Sequence, residues 1–79
     1  MEKLVNELYG DAMLQFRMEI KLPSEEHYRL VCLLLAGLSI NFIATLTGET
    51  TNAIYKRRDK IREIIKDFKG VYKEFYLLI

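Results

Sequence analysis

The chain has 79 residues, 51% hydrophobic and 29% charged, with 12 Lys and Arg against 11 Asp and Glu. That balance excludes a disordered tail and a collagen-like or mucin-like segment, and it leaves room for one domain with a small core. A core of that size makes a second copy a natural way to bury surplus apolar surface, so a homodimer is expected.

From the N-terminus, Leu4, Leu8, Met13, Phe16 and Ile20 recur at helical spacing, widened by Val5, Tyr9 and Ala12, and predict an amphipathic helix over residues 2–20 with a weak point at Gly10 and Asp11. Pro23 and the residue before it break that helix. Ser24 is placed to cap a second helix over 25–36, with Glu25 and Glu26 at its positive end. From Leu30 to Ala36 this helix is apolar almost all round, which predicts the most buried element.

Gly37 is suited to the left-handed conformation that closes the second helix, and Ser39 to capping a third over 40–47, with Ile40, Ile43, Ala44 and Leu46 turned inward. Gly48 ends it. Glu49 and Thr50 make the turn, and Thr50 caps a fourth helix over 51–67. There Ile54, Ile61, Ile64, Ile65 and Phe68 form the apolar stripe, so Asn52, Tyr55, Lys56, Asp59, Lys60 and Glu63 face outward, while Arg57 lays its stem along the core edge. After Gly70, the segment VYKEFYLLI suits a short helix or a strand, and the helical chain before it favours a helix; its apolar residues are a second candidate dimer contact.

The fold class expected is therefore all-α: a small helical bundle containing a helix-turn-helix, with an N-terminal amphipathic helix (residues 1–21), the central unit (22–68) and a short C-terminal apolar segment (69–79). The lone Cys32, within LVCLLLA, reads as a core residue in a reducing compartment. The run around it is too short to span a bilayer, and residues 1–20 are too rich in Glu, Asp and Asn for a secretory signal; a cytoplasmic location with no membrane partner is expected.

Charge is not evenly spread. Between Lys56 and Lys66 six basic residues (Lys56, Arg57, Arg58, Lys60, Arg62 and Lys66) stand against two acids, Asp59 and Glu63. A one-sided concentration of that kind attracts a polyanion, and double-stranded DNA is the first partner to test. Two short helices joined by a three-residue turn containing glycine are also the local plan of a helix-turn-helix: Ala44 offers a close approach, Gly48 the reversal and Ile54 a branched anchor.

The segment from Leu22 to Lys66 resembles the DNA-binding domain of LuxR-type (GerE-like) response regulators, and the related region four of sigma factors, through Glu26, Gly37-Leu38-Ser39, Ile43-Ala44, Gly48, Thr50, Ile54, Arg58 and Ile61. It departs from the usual pattern at Thr47, Glu49 and Arg57, where apolar residues are customary, and at Phe42, where an acid is. The resemblance implies a sequence-specific transcriptional regulator whose recognition helix, about 51–67, enters the major groove, commonly as a homodimer, with a larger sensor or regulator chain as a further candidate partner. It implies that Thr50, Thr51 and Asn52 meet a phosphate or base edge at the helix start, that Tyr55, Lys56 and Asp59 face the groove, and that Arg58, Lys60 and Arg62 meet phosphates. About four phosphates per chain would give a salt slope near −4.

The alternative is an α-helical protein-interaction module in which the basic face only keeps the protein wet. An enzyme is the weakest reading. His27 and Cys32 do not share a helix face, no Gly-rich phosphate loop follows a strand, and no metal spacing occurs, so no cofactor is expected.

Overall fold

Every regular element is a helix in the computed structural model, which describes residues 2–70 and 72–79. The order is α1 (Glu2–Leu8), α2 (Ala12–Glu19), α3 (Glu25–Leu35), α4 (Ile40–Thr47), α5 (Thr51–Asp67) and α6 (Lys73–Tyr76). The radius of gyration, 11.9 Å, is close to the ~11.6 Å that tight packing of a chain this long requires, so both ends are folded onto the body.

The first expected helix is two. Gly10 and Asp11 are both left-handed, with φ of 61° and 64°, and the chain turns sharply between α1 and α2. Asp11 spends its position on the turn and gives no side-chain cap to α2. The side-chain oxygen of Asn6, two residues before the end of α1, accepts instead from the amides of Met13 (2.8 Å) and Leu14 (3.2 Å). The turn also rotates the apolar stripe: Val5, Ala12, Met13, Phe16 and Ile20 are buried, whereas Leu4 and Leu8, expected on the same face, are in solvent.

Arg17 clasps three elements. Its guanidinium donates to both carboxylate oxygens of Glu2 on α1 and to Glu25 at the start of α3, and it lies 4.5 Å from the centroid of the Tyr28 ring. These hydrogen bonds raise the Arg17 pKa well above its already high usual value, and Arg17 in turn holds the exposed Glu25 carboxyl below the ordinary range. The Tyr28 hydroxyl closes the same corner, donating to the Ile20 carbonyl at 2.9 Å.

α3 is the central element, with Leu30, Val31, Cys32, Leu33 and Leu35 buried. Ser24 precedes it in extended conformation, but its hydroxyl engages the His27 ring at 2.8 Å rather than a backbone amide. At the other end Gly37, with φ of 91°, allows the Leu38 amide to reach back to the Leu33 carbonyl and the Gly37 amide to reach Leu34. This paired arrangement satisfies carbonyls that the helix end leaves free.

The C-terminal segment is part of the core rather than an appendage to it. Tyr76 and Ile79 are buried, Phe75 and Leu77 pack against the same cluster, and Tyr72 and Leu78 remain exposed. Val71 lies outside the described residues. The Tyr76 ring meets Phe16 edge-on at 4.9 Å between centroids, and its hydroxyl donates to Glu19 at 3.2 Å. Burial, and then the charge of Glu19, push the Tyr76 hydroxyl far above its usual pKa, so it remains a donor. Arg62 donates to the Leu77 carbonyl and Lys73 to that of Lys66, tying the segment to α5. The surface left here for a second copy is correspondingly smaller than the sequence suggests. Among the described residues no helix is long and apolar enough to cross a membrane.

Candidate nucleic-acid interface

α4 and α5 begin and end where their capping residues dictate. The Ser39 hydroxyl accepts from the Phe42 amide, and the Thr50 hydroxyl from Ala53. Gly48 closes α4 with φ of 74°, a conformation costly for any residue with a Cβ, and its amide returns to the Ala44 carbonyl. Only Gly48, Glu49 and Thr50 separate the two helices, and Ile43, Ala44, Ile54, Ile61 and Ile65 hold them in the common core. Leu46, expected inward, is 61% exposed: in an eight-residue helix the stripe set by Ile43 and Ala44 leaves it on the flank, one turn beyond exposed Phe42.

With Ile54, Ile61 and Ile65 committed to the core, the outer side of α5 is fixed. Asn52, Tyr55, Lys56, Asp59, Lys60 and Glu63 are exposed, as the spacing predicts. Thr50 is exposed at the helix start and Thr51 half-buried beside it. The cations fall into different environments. Lys56 and Lys60 stand in solvent. Arg57 is half-buried and bonded to Glu49, with an ion-pair distance of 2.9 Å, while Glu26 of α3 lies 3.9 Å away. Glu49 and Arg57 are thus matched, each supplying the other's partner.

Arg58 is half-buried with its guanidinium 4.9 Å from the centroid of the Tyr55 ring and 3.6 Å from Asp59. Its Nε is enclosed and meets no hydrogen-bond partner among the described residues, so only the outer end of the fork reaches solvent. Arg62 is turned toward the C-terminal turn, with one amino group donating to Leu77. Of the three residues expected at phosphates, Lys60 is free, Arg58 partly so, and Arg62 is engaged within the fold.

Comparison with models of known protein families, with curated proteins and with solved structures finds no match of any kind.

Within the first ten residues of α5, Lys56, Arg57, Arg58 and Lys60 face a single acid, Asp59; Glu63 and Asp67 come later. Positive charge is thus gathered toward the N-terminal half, where the free amides and the helix dipole add to it. His27 on α3 senses this field. Burial lowers its pKa below 6.5, and the charge of Arg57, with a smaller part from Lys60, lowers it further against the opposing effect of Glu26.

The unfolded chain then takes up this proton first as pH falls. The stability associated with neutral His27 is complete above about 6.5 and is lost as pH drops through the folded midpoint. Imidazole resonances followed by NMR are expected to titrate below 6.5 and to move toward it as added salt screens Arg57 and Lys60. A midpoint at or above the ordinary value would contradict the placement of these cations. Among the described residues no group of His, Cys, Asp and Glu is arranged to hold a metal ion.

Proposed function

We propose that the chain is a sequence-specific DNA-binding domain of a transcriptional regulator, with α4 and α5 acting as a helix-turn-helix and α5 entering the major groove. The observation that carries this reading is the coincidence of a three-residue reversal at Gly48, Glu49 and Thr50 with an exposed, cation-bearing face immediately after it. Asn52 heads that face and is the candidate base reader; Lys56 on the groove side, Thr50 and Thr51 at the helix start, and Lys60 with the outer end of Arg58 suit phosphates. The resemblance to LuxR-type regulators includes Gly48, Thr50 and Arg58 of this set.

Two copies on paired half-sites would need a contact surface. Leu4 and Leu8 on α1, and Leu14 and Met18 on α2, are large apolar residues left in solvent, each pair one turn apart. The same residues favour the second reading, a protein-interaction module, in which they dock on another chain and α5 has no ligand.

Selection of duplexes from a random pool distinguishes the two. The DNA-binding reading expects enrichment of one motif at low salt, with affinity that falls as salt rises. Absence of enrichment, together with a stoichiometric protein complex recovered on purification, would replace it with the second.

A further inference from the structure

The cleft between the α1–α2 turn and α6 is built unlike the rest of the surface. Tyr9, Tyr72 and Phe75 line it, the buried Tyr76 lies among them, and Gln15 supplies a polar edge; its volume is about 340 Å³. Neighbouring rings are mutually inclined, at 56° for Tyr9 and Phe75, 59° for Phe75 and Tyr76, and 46° for Tyr72 and Tyr76, with centroids 5.7, 6.1 and 6.4 Å apart. Rings splayed at these angles make the sides of a cup rather than a closed stack.

The charge hydrogen-bonded to the cup's lining is negative, and Lys73, next to Tyr72 on α6, is engaged with the Lys66 carbonyl. Glu19 accepts hydrogen bonds from the Gln15 amide and the Tyr76 hydroxyl, the two polar side chains of the lining other than the exposed tyrosines. Both donors are neutral. Arg17, on the same helix, is committed to Glu2 and Glu25. An anion would therefore be opposed by the carboxylate behind the lining and by the negative faces of aromatic rings, whereas a cation is favoured by both. A volume near the lower end of small-molecule sites calls for a compact ligand.

We propose that this aromatic cup binds a small methylated ammonium ion. Methylation spreads the charge over an apolar shell that can rest against Tyr9, Tyr72 and Phe75, while Glu19 balances the charge from behind Tyr76 and Gln15. The primary ammonium of lysine is too strongly hydrated to be the preferred occupant.

The test uses the full chain, titrated with choline and followed by NMR at the Gln15 side-chain amide and the Tyr72 and Phe75 amides. 3,3-Dimethyl-1-butanol, the uncharged carbon isostere of choline, is the control. Saturable shifts at these positions are expected with choline, and binding about tenfold weaker with the isostere. Tyr72→Leu keeps apolar bulk at an exposed position and removes the ring; Glu19→Gln keeps an acceptor for Tyr76 and removes the charge. Each is expected to weaken choline by several-fold without altering the circular dichroism of the protein. No saturable shift, equal affinity for the isostere, or unchanged binding in Tyr72→Leu would overturn the proposal.

Discussion

Replacing Tyr76 by alanine is expected to lower the melting temperature by roughly 15–30 °C. The ring is buried, meets Phe16 edge-on and carries the only described tie between the C-terminal turn and Glu19. Truncating a buried aromatic side chain costs about 3–5 kcal/mol, against a total of roughly 4–12 kcal/mol for a domain of this size. In a small domain each kcal/mol moves the midpoint by about 4–8 °C.

Tyr76→Phe separates the ring from its hydroxyl: losing one hydrogen bond should cost about 1 kcal/mol and a shift of only a few degrees. Thermal denaturation by circular dichroism, repeated over a range of protein concentrations, reads both effects. Were the C-terminal segment only a contact between copies, Tyr76→Ala would melt near the wild type and its midpoint would follow concentration instead.

On the proposed DNA-binding function, the second large effect is expected in affinity for DNA. With Arg57 tied to Glu49 and Arg62 to Leu77, the cations within the first ten residues of α5 that remain available to phosphates are Lys56, Arg58 and Lys60, fewer than the sequence alone suggests. At about 0.9 per phosphate the expected slope of log affinity against log salt is near −3 per chain rather than −4. Lys56→Ala combined with Lys60→Ala should bring it to about −1 and abolish most binding at physiological salt. Both residues are exposed, so the fold should be untouched.

Fluorescence anisotropy on a selected duplex over a salt series measures the slope directly. Arg57→Ala is the informative companion: it should leave the slope nearly as it was while lowering thermal stability, because the half-buried Glu49 loses its partner. An unchanged slope in the double variant would remove the basic face of α5 from the mechanism.

What the sequence revealed follows from where its signals are local. α4 and α5 were legible to the residue, because Ser39, Gly48 and Thr50 each act on amides or dihedrals within three positions of themselves. The exposed side of α5 was legible for a similar reason, since three isoleucines at positions 54, 61 and 65 leave it only one orientation.

The N-terminal region was misread because its apolar spacing runs through the turn at Gly10 and Asp11 as if nothing happened there. Left-handed backbone at a non-glycine residue is stated by no periodicity. The tie of Arg62 within the fold was not legible because its acceptor, the Leu77 carbonyl, is fifteen residues away on a segment whose path no local rule gives. The pairing of Arg57 with Glu49 lies between: the stem on the core edge was readable, whereas the carboxylate that answers it belongs to the preceding turn.

Asn6 carries a last consequence. Its side chain holds the first amides of α2, a duty ordinarily met by a helix's own leading residue. The second short helix is thus not self-sufficient: unwinding the first strips it of its stopper and couples the loss of one to the weakening of the other. Cutting residues before Gly10 to obtain a minimal fragment would discard that stopper along with Val5 and the Glu2 end of the Arg17 clasp.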